Sequence, residues 1–363
     1  MTDTVKIILS FVASFAVAFL TTPLAKRFAT KIGAIDVPKD KRRVHKKPTP
    51  LVGGLAIFLG FLAATLSFGK IDIEFVGMLA GALIMVVLGI FDDKYNLPAK
   101  FKFVIQIVAA SIPVILGVRI ERIIFPFAEY TGITGIEFGW LSYPITILWI
   151  VGLTNAVNLI DGLDGLAAGV SAIASFSVFC VALMQGEIGI AILTAALVGS
   201  CFGFLPYNFN PASIFMGDTG STFLGYVMAV ISVMGLFKIH AIISFAVPFI
   251  AFGIPIFDTS FAIFRRIKEH RPIMSPDRGH LHHRLIDSGL TQKQAVLVIY
   301  AICIVLGIVA VMSFKSKIWA LAIAMLGVLG ALVFRYWGRV GKDGENVNRE
   351  KEESDSEKEN TEK

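Results

Sequence analysis

Six acidic or amide side chains stand where apolar runs of this chain end. Asp92 and Asp93 follow one run in FDDKYNLPAK, Asn158, Asp161 and Asp164 lie between two others in NAVNLIDGLDG, and Asp218 sits in MGDTGS. Carboxylates and a side-chain amide are hard oxygen donors, the kind Mg2+ takes. That ion commonly accepts one or two carboxylates and completes its shell with water and substrate phosphates. Asp218 and the side-chain carbonyl of Asn158 are the candidate ligands, which leaves the other carboxylates for proton chemistry. Asp161 and Asp164 are three residues apart, so on a helix they would share a face. Residues 265–285, RRIKEHRPIMSPDRGHLHHRL, add Arg265, Arg266, His280, His282 and His283. Guanidinium forks and imidazoles are good donors to phosphate oxygens, and the loop reads as a pyrophosphate contact. Zinc is the weaker reading of His-x-His-His, since no cysteine assists and no histidine pair has helical i, i+4 spacing.

Each acid alone has a plainer explanation. Asp161 and Asp218 could cap the helices that follow them. Asp92-Asp93 could be a solvated helix end, and the histidine segment a solvated basic loop. Five carboxylates at three junctions are harder to explain singly, because one helical bundle can bring those junctions together. Asp258, in FDTSFAIFRR, closes a further apolar run.

The elements that must position these groups are membrane helices. Of 363 residues, 55% are hydrophobic and 17% charged, and the mean hydropathy is +0.74. Such a composition excludes a pair of soluble domains. Crossing the hydrocarbon core takes about 20 mostly apolar residues. The sequence predicts an all-α bundle of about eleven spans, near 5–24, 51–68, 75–91, 101–118, 143–158, 166–184, 188–206, 221–236, 241–258, 295–312 and 318–334. The first lacks the leading basic cluster of a signal peptide and reads as a retained helix. Most of the 33 basic residues fall in alternate connections, which places the N-terminus outside and the C-terminus in the cytoplasm.

In that topology every acid named above faces the cytoplasm. A transporter would need access from both sides and charges near the midplane, and no matched internal repeat supports one. The first inward loop carries Arg43, His45 and Lys46 among nine basic residues over 26–50. It reads either as an anchor on anionic lipid or as a phosphate contact. Residues 1–340 form the membrane domain, and 341–363 a charged, disordered cytoplasmic tail. Cys180, Cys201 and Cys303 lie inside predicted spans and read as buried apolar residues.

Taken together, the Asp-Asp pair, Asn-Ala-Val-Asn-Leu-Ile-Asp-Gly-Leu-Asp-Gly, Met-Gly-Asp-Thr-Gly-Ser and the His-x-His-His loop resemble the polyprenyl-phosphate N-acetylhexosamine-1-phosphate transferases, of the glycosyltransferase family 4 type. The resemblance covers about residues 5–335. It implies a magnesium-dependent enzyme of the bacterial inner membrane, with Mn2+ as a substitute metal and a cytoplasmic active site. The implied reaction moves a sugar 1-phosphate from a UDP-sugar to undecaprenyl phosphate and releases UMP. By the same resemblance, Asp92 and Asp93 bind or deprotonate the lipid phosphate, and Asn158 and Asp218 hold the metal. Asp161 and Asp164 lie beside the nucleotide sugar, and His280, His282 and His283 near the substrate phosphates.

The loop reads Pro-Asp-Arg-Gly-His-Leu-His-His-Arg-Leu, not the Pro-Leu-His-His-His of the branch that transfers phospho-MurNAc-pentapeptide in peptidoglycan synthesis. UDP-GlcNAc is therefore the expected donor, for a teichoic acid, O-antigen or lipopolysaccharide-type polymer of the cell envelope. No nucleic-acid partner is expected, and a homodimer is a candidate assembly. A CDP-alcohol phosphatidyltransferase is a rival only superficially, since its pattern puts Ala-Arg where this chain has Leu-Asp.

Overall fold

Small residues decide how the helices meet. On α1 (Asp3–Ile32) the buried positions are Ser10, Ser14, Ala18, Thr22, Ala25 and Ala29, a stripe recurring every three or four residues. Ile8, Val12, Leu20 and Leu24 point the other way and are exposed. Large apolar groups outside and small ones inside are what lipid demands, because hydrocarbon supplies no hydrophobic drive between helices and close backbone packing must replace it. The computed structural model describes residues 1–38, 47–124, 135–237, 246–268 and 280–315. The eleventh predicted span, the tail, Arg43 and His45 lie outside the described residues.

After α1 come a two-residue antiparallel pair, β1 (Ile35–Asp36) with β2 (Thr49–Pro50), and α2 (Gly54–Phe68). α3 (Ile73–Tyr95) and α4 (Ala99–Ile115) follow, then a second small hairpin, β3 (Arg122–Ile124) with β4 (Gly135–Glu137). α5 (Ser142–Ile160), α6 (Leu166–Gln185), α7 (Ile188–Asn208) and α8 (Gly217–Ser232) complete the centre. α9 (Ala246–Ala251), α10 (Gly253–Lys268), the short α11 (Leu281–Asp287) and α12 (Gln292–Lys315) close the described chain. Six helices among the described residues are long and apolar enough to cross a membrane, with α2 a shorter apolar one. This is a multi-pass helical membrane protein.

α8 is the axle: Thr219 to Ser232 are all buried, and α2, α3 and α5 pack around it. α1 packs on α7 and α2, α6 on α7, and α12 on α6. A side chain on Gly54 would run into the Gly220 backbone, and one on Gly89 into Thr219. Those two glycines let α2 and α3 approach the start of α8.

Several predicted boundaries move, for visible reasons. α3 is capped by Asp72, whose side chain accepts from Phe75 N at 3.0 Å, and ends at a left-handed Asn96. It therefore outlasts its apolar run, and Asp92-Asp93 sit in its last turns, with Asp92 buried rather than solvated. Asp161 and Asp164 do not share a helix face as expected. They lie in the turn between α5 and α6, which Asp161 enters at φ −77°, ψ 52° and a left-handed Gly165 leaves. The described part of the ninth predicted span, residues 246–258, is divided between α9 and α10, and Asp258 falls inside α10 instead of at a helix end.

Gly89→Leu is expected to wedge α3 from α8 and to destabilise by about 2 kcal/mol or more, as overpacking does. Gly152→Leu, where nothing lies within 4 Å, is the matched control. Thermal melts in detergent check both, and equal melting temperatures would refute the close approach.

Candidate active site

The start of α8 shapes everything polar around it. A helix N-terminus leaves its first N–H groups without intrahelical partners. Here Asp93 of α3 supplies them: Oδ1 accepts from Asp218 N at 2.7 Å, and Oδ2 from Thr219 N at 3.2 Å and Thr219 Oγ1 at 2.7 Å. Gly217 adopts φ +70°, and a side chain there would strike the Asp93 carboxylate, so only glycine suits the position. From the other side, Gly53 N and Gly54 N donate to Phe215 O and Met216 O, both at 2.9 Å. The MGDTGS motif is thus held by two separate segments, and the carboxylate of Asp218 has a fixed place.

Asp218 Oδ1 accepts from Asn158 Nδ2 at 2.9 Å. The same amide nitrogen donates to Ser221 Oγ at 2.8 Å. With its nitrogen committed to two acceptors, Asn158 keeps its carbonyl oxygen for a ligand. Asp218 Oδ2 accepts from Lys102 Nζ at 2.9 Å, and the ammonium also donates to Asp92 Oδ2 at 2.8 Å. Asp92 Oδ1 takes the Leu97 N–H at 2.7 Å.

These groups open into a cavity of about 650 Å³ whose lining includes Asp36, Asp92, Asp93, Lys94, Asn158, Asp161, Asp164, Asp218, His283 and Gln292. The C-terminal ends of α3, α5 and α7 and the N-terminal ends of α6, α8 and α12 meet there. Asp164 is a brace: its Oδ2 accepts from Asn210 Nδ2 and Ala212 N, both at 3.0 Å, and so holds the segment leading to α8. Asp161 differs. Among the described residues its carboxyl has no hydrogen-bond partner. Burial first, then the negative charge of Asp218, Asp93 and Asp164, pushes its pKa well above the usual carboxylate range.

Six carboxylates line the cavity, against Lys94 in its wall and Lys102 bridging two of them, and leave a surplus of negative charge that a cation would relieve. No three His, Cys, Asp or Glu side chains among the described residues form a ready-made metal cage. The donors that do face the cavity are the Asp218 carboxylate, the Asn158 carbonyl and the unengaged Asp161. They fit a Mg2+ ion that keeps room for substrate oxygens.

Only His283 of the three histidines lines the cavity. His280 and His282 are buried beneath it. Asp258 Oδ2 pairs with His280 Nδ1 at 2.8 Å, and its Oδ1 accepts the Leu281 N–H at 2.9 Å, so α10 anchors the start of α11. The His282 ring lies directly behind Gly162, where any side chain would overlap it. Arg265 and Arg266 fall in the last turn of α10 and are not among the residues lining the cavity. Arg265 lies over the Phe261 ring and Arg266 is buried.

The sequence reading did not single out Lys102. Its signal was a lysine ten positions after Asp92, at the start of an apolar run, which also reads as a positive-inside residue. Asp258 closes an apolar run in the sequence, and no local signal there marks its histidine partner 22 residues on.

Residues 75–236 match the model of glycosyl transferase family 4. Similar proteins include a probable undecaprenyl-phosphate N-acetylglucosaminyl 1-phosphate transferase of Bacillus subtilis, 46% identical over 316 residues, 87% of each chain. The chain belongs to glycosyl transferase family 4. A decaprenyl-phosphate N-acetylglucosaminephosphotransferase of Mycobacterium tuberculosis is 34% identical over 79% of this chain and 77% of its own. An undecaprenyl-phosphate alpha-N-acetylglucosaminyl 1-phosphate transferase of Escherichia coli is 28% identical over 88% of both. The family match begins in α3 and ends in the π-helical turn Val233–Phe237. It therefore contains Asp92, Asp93, Asn158, Asp161, Asp164 and Asp218. The histidine segment lies beyond it.

Burial, reinforced by His283, lowers the His282 pKa from 6.5 to about 3, with Asp258 acting in the opposite sense and His280 adding slightly. A histidine that folds neutral contributes stability in full above pH 6.5 and loses it as pH falls from there toward 3, because the unfolded chain then binds a proton the fold rejects. His282→Gln is expected to flatten the fall in melting temperature across that window. An unchanged slope would place the acid sensitivity elsewhere.

Proposed function

We propose that this protein transfers GlcNAc-1-phosphate from UDP-GlcNAc to undecaprenyl phosphate, giving undecaprenyl-diphosphate-GlcNAc and UMP. The observation that carries the reading is convergence. Acids from three separated junctions, and His283 from a fourth segment, line one cavity at one end of the bundle. The names of the relatives supply the substrates. Eleven spans are the topology proposed from the apolar runs, with the N-terminus outside and the C-terminus inside proposed from the charge distribution. That topology puts the cavity at the cytoplasmic face of the bacterial inner membrane, where the nucleotide sugar is.

An oxygen of the lipid phosphate attacks the β-phosphorus of UDP-GlcNAc. The new P–O bond forms as the bond to the bridging oxygen breaks, and UMP leaves. A phosphate monoester is already largely ionised near neutral pH, with a second pKa of about 6, so the attacking oxygen needs no strong base. That suits the carboxylates as they stand: Asp93 is committed to the start of α8, and Asp92 to Lys102 and Leu97 N. Asp92 and Lys102 place the acceptor phosphate, and His283 donates to phosphate oxygens across the cavity.

Mg2+ held by Asp218 and Asn158 would neutralise the diphosphate and stabilise the departing phosphate. Asp161, unengaged at the cavity floor, stands ready to face either that ion or the donor sugar. Holding two anions at reacting distance is itself a large part of the work, because proximity removes a bimolecular entropy cost.

Detergent-purified protein given undecaprenyl phosphate and Mg2+ is expected to release UMP from UDP-GlcNAc and not from UDP-MurNAc-pentapeptide. Asp218→Asn and Asp161→Asn are each expected to lower that rate by about 100-fold or more, the scale of losing one electrostatic stabiliser. Release from the pentapeptide donor alone would move the protein to the peptidoglycan branch. No release from either donor by folded protein would sink the transferase reading.

A further inference from the structure

Lys102 occupies an unusual position. Its ammonium lies between two carboxylates on different helices, 2.8 Å from Asp92 Oδ2 and 2.9 Å from Asp218 Oδ2. The second of these belongs to the candidate metal ligand. Each carboxylate has its other oxygen tied down, Asp92 by Leu97 N and Asp218 by Asn158. The two bridged oxygens are therefore the ones turned toward the cation. An ammonium and a divalent ion cannot both sit on one carboxylate oxygen without strong repulsion.

We propose that Lys102 is a resident placeholder for the metal. It neutralises Asp218 while the site is empty, gives up that contact when Mg2+ arrives, and turns the freed N–H donor toward the phosphate of the acceptor. The inference rests on Asp218 being a metal ligand, as proposed above. The placement gives the exchange a physical rationale. With no cation between them, Asp92 and Asp218 would repel across the start of α8, the element on which the whole cavity is hung. A lysine suits the task better than an arginine, since a compact ammonium on a flexible stem can shift between acceptors, whereas a planar fork is made to stay with one. Three N–H donors are available, and Lys102 spends two in the closed arrangement. Losing Asp218 therefore releases a donor without breaking the hold on Asp92. Metal and acceptor phosphate would then bind cooperatively, each favouring the turned-out lysine.

The test is metal affinity without any substrate. Mn2+ binding to the full chain in detergent, followed by loss of the free-ion electron paramagnetic resonance signal, is expected to tighten about five-fold or more in Lys102→Met, the scale of an ordinary coupling between sites. Lys102→Arg keeps the charge but yields its acceptor less readily, and is expected to bind Mn2+ no more tightly than wild type. Affinity in Lys102→Met that is unchanged or weaker overturns the proposal. Asp218→Asn separates the two readings: if it binds Mn2+ as wild type does, Asp218 is not a ligand and the metal assignment falls first. Should Lys102→Met not fold, the wild type still decides. Acylation of Lys102 by an amine reagent, read by mass spectrometry, is expected to speed up several-fold when Mn2+ saturates the site, because an amine on a flexible stem that has left the carboxylate pair is more accessible. An unchanged acylation rate would mean that the lysine never lets go.

Discussion

A helix that begins inside a membrane protein must find acceptors for its first N–H groups, and α8 finds them on another helix. Asp93 reaches across from α3 and takes two backbone N–H groups and a threonine hydroxyl. Negative charge at a helix N-terminus is favourable in its own right. From this contact follow the placing of Asp218, hence of Asn158 and Lys102, and the close approach at Gly54 and Gly89 that lets the carboxylate get there. The acidic pair divides its labour. Asp93 builds the site, while Asp92 faces the lysine and the cavity.

The histidine segment is organised by the same logic at longer range. Asp258, buried in α10, fixes His280 and the first turn of α11, and that short helix sets His282 behind Gly162 and His283 at the cavity wall. A glycine after Asp161 is therefore a packing requirement as well as a turn residue. The two motifs are far apart in sequence yet meet ring against backbone.

Much of this was legible in the sequence, and the exceptions are instructive. Apolar runs locate α3, α5, α6, α7 and α12 to within a few residues, because hydrocarbon imposes a length that sequence must respect, whereas α1 runs on past its apolar run to Ile32. Asp92, Asp93, Asn158, Asp161, Asp164, Asp218 and His283 were all selected by type and position, and all line one cavity. Two things could not be read. Asp161 and Asp164 would share a face on a helix, but the turn obeys Gly162 and a left-handed Gly165, which spacing alone does not weigh. Lys102 was hidden by its surroundings, since a lysine at the mouth of an apolar run has an ordinary reading. Its partners are 10 and 116 residues away. Pairing at such separations is a property of the packed bundle and leaves no local mark.

The small-residue stripe on α1 and the glycine contacts at α8 have a thermodynamic side as well. Glycine and alanine have no rotamer freedom to lose when they are buried, whereas a leucine or methionine seam would surrender it at every contact. A bundle held by such seams becomes ordered at little entropic cost to its side chains. That matters most in a lipid solvent, where expelling water from between helices yields nothing.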